Sequence, residues 1–226
     1  MFKTISIKVN LLTYFFSIIG VVSLVLIGMQ YYFSLSLADK AADSTFEQVA
    51  EKLSIYIRET DQQLKSVIHQ ASLDDDLASI PEVGQLHTNI DTFISVLESN
   101  PGIYAAYVGK NNGDFYEVIH MQRFPGLHEK FDADAKTFWA VVQIQGEGEQ
   151  RTKHWLFYNE HMQLISSRSE AHDYDPRVRP WFNKAKKSTD VIRTEPYLFS
   201  FIDSSGITYA NKLNNSEGVF AMDITM

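Results

Sequence analysis

Residues 9–38 carry no charged side chain. The most apolar part of this run, residues 11–33 (LLTYFFSIIGVVSLVLIGMQYYF), is 23 residues long. A helix rises about 1.5 Å per residue, so it reaches about 35 Å, enough to cross a hydrocarbon core of about 30 Å. Tyr14 near its start and Tyr31 and Tyr32 near its end suit the two membrane–water interfaces. A cleaved signal peptide has an apolar core of about 7–15 residues and then a small-x-small site. This run is longer, and an uncleaved anchor is expected. Lys3 and Lys8 precede it, whereas Asp39, Lys40 and Asp43 follow it. The positive-inside bias therefore places residues 1–8 in the cytoplasm, a transmembrane helix over residues 9–34, and the rest of the chain outside.

That rest is acidic. The chain holds 20 basic and 28 acidic residues, a net charge of −8. Only Lys3 and Lys8 come before Asp39, so 18 of the bases and all the acids lie beyond the span. Such a surface argues against a nucleic-acid partner. Cysteine is absent, which excludes disulfides, thiol nucleophiles and cysteine-ligated metals. The seven histidines show no H-x-x-x-H or H-E-x-x-H spacing. His154 and His161 flank an aromatic run, but strand alternation puts residues seven apart on opposite faces. No metal and no cofactor are expected. G-x-S-x-G, Walker A and G-x-G-x-x-G patterns are also missing, so the chain does not read as an enzyme.

Residues 39–75 contain neither glycine nor proline. Phe46, Val49, Leu53, Tyr56, Thr60, Leu64, Val67 and Ala71 recur at helical spacing, with Glu47, Glu51, Arg58, Asp61 and Lys65 expected on the opposite face. The stripe must cover something: the twin helix of a homodimer, or the domain that follows. A long amphipathic signalling helix is assigned to residues 35–80 and a globular module to residues 81–226. Asp74, Asp75 and Asp76 lack EF-hand spacing and read as solvated surface. A short helix is expected over residues 88–98.

From Ile103 the pattern changes to short aromatic and β-branched runs separated by turns. IYAAYVG and FYEVIHM flank an Asn-Gly hairpin signal, and TFWAVVQIQ and TKHWLFYN form a second hairpin. MQLISSR, PYLFSFI, GITYANKL and GVFAMDIT follow, with PWFNKAKK as a helical insertion opened by Pro180. The predicted fold class is α+β: a transmembrane helix, a long helix, and an antiparallel sheet of about five or six strands with a short helical insertion.

The stretch Asp173-Tyr174-Asp175-Pro176-Arg177-Val178-Arg179-Pro180-Trp181-Phe182 stands out. Its prolines stiffen the backbone around two arginines. A guanidinium grips a carboxylate through two hydrogen bonds, and Tyr174 and Trp181 add apolar plates with one polar hydrogen each. On chemistry alone a purely structural reading comes first, with Arg177 and Arg179 paired to Asp173 and Asp175 and with Trp181 in the core. Asp223 lies on an apolar strand, on one face with Val219 and Ala221, and wants a donor or a cation.

YDPRVRPWF, Glu195-Pro196-Tyr197, Gly206-Ile207-Thr208 and the terminal GVFAMDITM resemble the membrane-distal, PAS-like half of double Cache (dCache) domains. These are extracytoplasmic ligand sensors of bacterial transmembrane receptors. The resemblance implies a sensor in the periplasm, anchored in the inner membrane, that passes ligand occupancy to a chemotaxis, kinase or cyclic-di-GMP output beyond residue 226. It implies a ligand carboxylate held by Arg179 and the indole N–H of Trp181. Tyr174, Phe182 and Tyr197 would be at the pocket, and Asp223 would accept hydrogen bonds from an ammonium group. Phe182 and Phe199 stand where the amino-acid-binding members carry a tyrosine and an acid, which removes polar contacts from the ammonium side. The expected ligand is thus a small polar solute such as a carboxylate. Two rival readings remain. One is an anchored coiled-coil protein whose head binds another protein, with Phe199 and Phe201 exposed and no cavity near Trp181. The other is a hydrolase using Asp223 with a histidine base.

Overall fold

The computed structural model describes residues 7–124, 126–199, 202 and 204–225. Lys3, Phe201 and Met226, which entered the expectations above, lie outside these. The chain divides into two units, Met1–Glu59 and Thr60–Met226.

Helix α1 runs from Ile7 to Ala71 without a break. In the first unit it carries the apolar run, long and apolar enough to cross a membrane by length and composition. The side chains of this run face outward, including Phe16, Leu24 and Tyr32. Phe46, Val49, Leu53 and Tyr56, the first half of the amphipathic stripe, are exposed too.

In the second unit the last turns of α1 bury Leu64, Ile68 and Ala71. Asp61 does not sit on a solvated opposite face as expected. It lies three and seven residues from Leu64 and Ile68, which puts it on the packed side of the helix. There it accepts a 2.7 Å hydrogen bond from the Tyr209 hydroxyl and pairs with Lys65 at 2.8 Å and Arg193 at 3.4 Å. The acidic run also does structural work. Asp74 caps a single 3-10 turn, Asp75–Ala78, and takes a 2.6 Å bond from Asn89, while Asp75 accepts the Asn215 N–H at 2.7 Å. Helix α2 follows over Ile90–Ser99, and the single turn α3 comes later over Leu127–Lys130.

Nine antiparallel strands lie among the described residues: β1 (Ile103–Lys110), β2 (Phe115–His120), β3 (Trp139–Gln145), β4 (Thr152–Tyr158), β5 (Leu164–Ala171), β6 (Ile192–Arg193), β7 (Tyr197–Leu198), β8 (Ser205–Lys212) and β9 (Gly218–Thr225). Their order is β5-β4-β3-β2-β1-β9-β8-β6, with β7 also on β8. The α+β architecture is the expected one, and the strand number is larger. Part of the excess is β6 and β7, each only two residues paired to β8. Chain end and sheet start meet at the centre, where β9 joins β1.

The two faces of the sheet are covered differently. Leu64 and Ile68 of α1 and Phe93 and Leu97 of α2 pack with Val108, Tyr116 and Phe220 in one core. The other core holds Tyr107, Phe115, Trp181 and Phe182. Its cover is the segment leading into α4 (Pro180–Lys186). The β1–β9 register slips between Ile103 and Ala105. This bulge lets Tyr104 and Ala105 both join the second core, although strand alternation alone would send them to opposite faces.

Candidate functional site

The site begins with the two prolines. Asp175 caps a 3-10 turn over Pro176–Val178, accepting the Arg177 N–H at 2.9 Å, and Pro176 takes the first position. Arg179 is then extended and caps α4, where Pro180 again takes the first position. Proline suits these places because the first N–H of a helix has no internal partner. The Asn183 side chain reaches back to the Arg177 carbonyl at 2.8 Å and closes the segment.

Within this frame the two arginines have different fates. The Arg177 guanidinium returns to its own cap and grips Asp175 through Nε and Nη2, at 2.9 and 2.7 Å. This is the structural pairing, and it is largely exposed. Arg179 makes no such pair. Its guanidinium lies over the Tyr174 ring, 4.7 Å from the centroid, and its Nε is buried without a hydrogen-bond partner. Tyr174 is held in turn by Arg151, whose Nε donates to the Tyr174 carbonyl at 2.7 Å and whose other nitrogens bind the carbonyls of Gly146 and Gly113.

Arg179, Tyr174, Trp181, Tyr197 and Asp223 border one small cavity of about 20 Å³, room for about one water molecule between the side chains. Phe182, expected beside them, is not on its wall. It is buried edge-on against Trp181, with ring centroids 5.5 Å apart. Trp181 itself is 1% exposed, so it is core and cavity wall at once. It fits because residue 109 is glycine: a Cβ there would lie 2.8 Å from the Trp181 ring and 2.9 Å from Pro176.

Asp223 is paired in the sheet with Ala105 on β1 and Thr208 on β8. Its Oδ1 accepts from the Tyr107 hydroxyl at 2.6 Å and from Thr208 at 2.5 Å, and the Tyr197 hydroxyl lies 2.7 Å from Thr208. Burial pushes its pKa up to about 7, against the lowering pull of the Thr208 and Tyr107 hydrogen bonds.

Phe199, expected on the ammonium side, is on the wall too, and the rest of the wall was not found from sequence: Tyr104, Tyr107, Phe115 and Glu117. Tyr104 arrives through the bulge, and its ring stacks on Phe199 at 6.3 Å. Glu117 is 2% exposed, and one carboxylate oxygen has no hydrogen-bond partner. Burial, then the nearby Asp223, push its pKa well up, and Lys153 pulls it down. A signal existed in the sequence. Glu117 is a lone acid inside the apolar strand FYEVIH, the same reasoning that singled out Asp223. Among the described residues no group of three His, Cys, Asp or Glu could hold a metal ion, and no histidine borders the cavity.

No family model matches the chain. Over 145 residues it is 30% identical to the methyl-accepting chemotaxis protein McpB of Bacillus subtilis (strain 168), covering 64% of this chain and 21% of McpB. The chain is similar to a chemotaxis receptor. That is the class of protein implied by the resemblance to double Cache modules, and the chain spans about a fifth of that relative's length. Among solved structures, the ligand-binding domain of the Campylobacter jejuni chemoreceptor Tlp3 with 4-methylisoleucine aligns with a TM-score of 0.45 at 16% identity, over 79% of this chain and 55% of that one. The ligand-binding domain of the Pseudomonas fluorescens chemoreceptor CtaA with L-valine aligns with a TM-score of 0.36 at 19% identity, over 75% and 54%.

Proposed function

We propose that this chain is the anchor and ligand-sensing part of a Cache-type bacterial chemoreceptor, held in the inner membrane by residues 9–34 with its sheet in the periplasm. In this reading it senses and does not catalyse. The observation that carries the reading is Arg179: a guanidinium seated on Tyr174, with a buried N–H lacking a partner, at the wall of a cavity shared with Trp181 and Asp223. A carboxylate answers that group through a charge-assisted hydrogen bond. The rival of a protein-binding head requires an exposed Phe199, and Phe199 is buried on the cavity wall.

A route for the signal lies in β8. Thr208 bonds Asp223 on the cavity face, and its neighbour Tyr209 bonds Asp61 of α1 on the other. Adjacent strand residues point to opposite faces, so a ligand that shifts Thr208 shifts Tyr209 and the helix it holds. A coupling of about 1–3 kcal/mol changes an equilibrium 5–150-fold. The exposed stripe Phe46, Val49, Leu53 and Tyr56 alternates steps of three and four, the seam of a two-stranded coil, and a homodimer through this helix is part of the proposal.

The test is thermal unfolding of the full chain in detergent micelles with small carboxylates, amino acids and amines. A stabilising ligand should lose its effect in Arg179→Ala and keep it in Arg177→Ala. Retention of the full shift in Arg179→Ala would show that the solute binds elsewhere.

A further inference from the structure

A recess at the β4–β5 end of the sheet shares no wall residue with the Arg179 cavity. Its volume is about 230 Å³. One water molecule needs about 10–15 Å³ on this measure, so the recess has room for a small solute. Cross-strand register builds it. Lys153 on β4 is opposite Glu170 on β5, and Trp155 is opposite Arg168, so these four stand on one face. β5 ends the strand order on this side and leaves the recess open. Phe131, just after α3, closes its back, with its ring 4.6 Å from Trp155, and Phe157 stacks on Trp155 at 5.9 Å. Lys130, the last residue of α3, stands on the wall.

This wall is cationic in an acidic chain. Lys130, Lys153 and Arg168 face one acid, Glu170, whereas the whole chain has a net charge of −8. Glu170 is already matched: it pairs with Lys153 at 2.5 Å and accepts the Trp155 indole N–H at 3.4 Å. Arg168 is left over. Its guanidinium rests against two rings, 5.5 Å from the Trp155 centroid and 5.3 Å from that of Phe157. Its side chain makes no hydrogen bond or ion pair among the described residues. Rings hold a guanidinium by its face and leave its N–H groups as a planar fork that matches carboxylate and phosphate oxygens. His172, also on the wall, adds no charge: its Nδ1 accepts the Tyr174 N–H at 2.9 Å, which requires the neutral ring.

We propose that this recess is a second binding site, for a small solute with two or more negative charges on carboxylate or phosphoryl oxygens. Arg168 supplies the fork, and Lys130 supplies a second cation from α3. The Trp155 and Phe131 rings offer an apolar side to the solute's skeleton. A single carboxylate would satisfy Arg168 alone; an excess of two positive charges on the wall is matched by a dianion. The site lies apart from Arg179 and does not depend on the sensor reading above.

The experiment is isothermal titration of the full chain in detergent micelles with citrate, sulfate, inorganic phosphate and L-valine, at about 0.15 M sodium chloride, where diffuse surface charge is screened. At least one of the three anions should bind saturably, one per chain, and valine should not displace it. Arg168→Gln should weaken that binding by about tenfold or more, and Lys130→Gln by about threefold or more, because each removes a charge-assisted contact. Arg168→Lys, which keeps the charge and loses the fork, should retain part of the affinity. Arg179→Ala should leave it within about twofold, since the two sites share no wall residue. Arg168 is an exposed strand position, and an unchanged melting temperature of ligand-free Arg168→Gln shows that the fold is kept. Citrate preferred over phosphate and sulfate supports the site and assigns it to carboxylates; the reverse order supports it and assigns it to phosphoryl groups. Absence of saturable binding by all three anions overturns the inference, as does binding that Arg168→Gln and Lys130→Gln leave unchanged. Loss of anion binding in Arg179→Ala alone puts the anion in the other cavity, which overturns the second site and leaves the sensor reading standing.

Discussion

Asp223 offers a test of the cavity that needs no ligand. In an unfolded chain an aspartate titrates near pH 3.9. In the folded protein burial raises Asp223 to about 7. The folded state therefore holds a proton that the unfolded state has lost between those values, and stability falls as pH rises through that window. The shift is about three units, and each unit corresponds to about 1.36 kcal/mol, so the loss from pH 4 to pH 8 approaches about 4 kcal/mol. Asp223→Asn keeps an acceptor for Tyr107 and Thr208 and removes the charge. It should match the parent near pH 4 and exceed it near pH 8 by up to about 4 kcal/mol, or about 8–16 °C in Tm for a domain of this size. Glu117, raised in the same direction, leaves some slope in the variant. The three tryptophans, Trp139, Trp155 and Trp181, all lie in the sheet unit, so fluorescence-detected urea unfolding at several pH values reads this unit directly. Parallel stability profiles for parent and variant from pH 4 to 8 would refute the argument that this carboxyl is buried without a compensating cation.

Two further outcomes follow from packing. Gly109→Ala forces a methyl group against Trp181 and Pro176, and overpacking of this kind costs about 1–3 kcal/mol; near-ultraviolet circular dichroism of Trp181 should change with it, and an unperturbed spectrum would contradict the close fit. Leu64→Ala, at a buried site on α1, should cost about 2–5 kcal/mol in urea unfolding, whereas Leu53→Ala on the exposed half of the same stripe should stay within about 0.5 kcal/mol; equal effects would mean that the stripe is covered throughout.

Periodicity carried the architecture. The step of three and four residues marked α1, and the alternating aromatic runs marked the long strands of the sheet, because both patterns record which side of an element is buried. What periodicity could not reach was pairing that runs against it. β6 consists of Ile192 and Arg193 alone and exists only because β8 offers an edge. The run PYLFSFI reads as one strand, but among its described residues only Tyr197 and Leu198 pair. Asp61 looked solvated because a charge on a helix usually is, and only the fold could reveal Tyr209 and Arg193 opposite it.

The site divides along the same line. The segment Tyr174–Trp181 was legible because its chemistry is local: each proline sets its own turn, and the turns aim the side chains. Yet two arginines of identical type, two residues apart, could not be told apart by sequence. Arg177 lies inside the turn that Asp175 caps, so its side chain folds back on that carboxylate. Arg179 comes one step after the turn, beyond the reach of Asp175, and falls on Tyr174 instead. Glu117 and Tyr104 were missed for a different reason. They reach the cavity from strands more than 50 residues earlier in the chain, one by cross-strand register and one by a bulge. A one-residue slip at that bulge would turn Tyr104 to the opposite face and replace an aromatic wall of the cavity with a hydroxyl buried among α2 side chains. The position of that bulge, more than any motif, therefore sets the shape of the hollow that Arg179 faces.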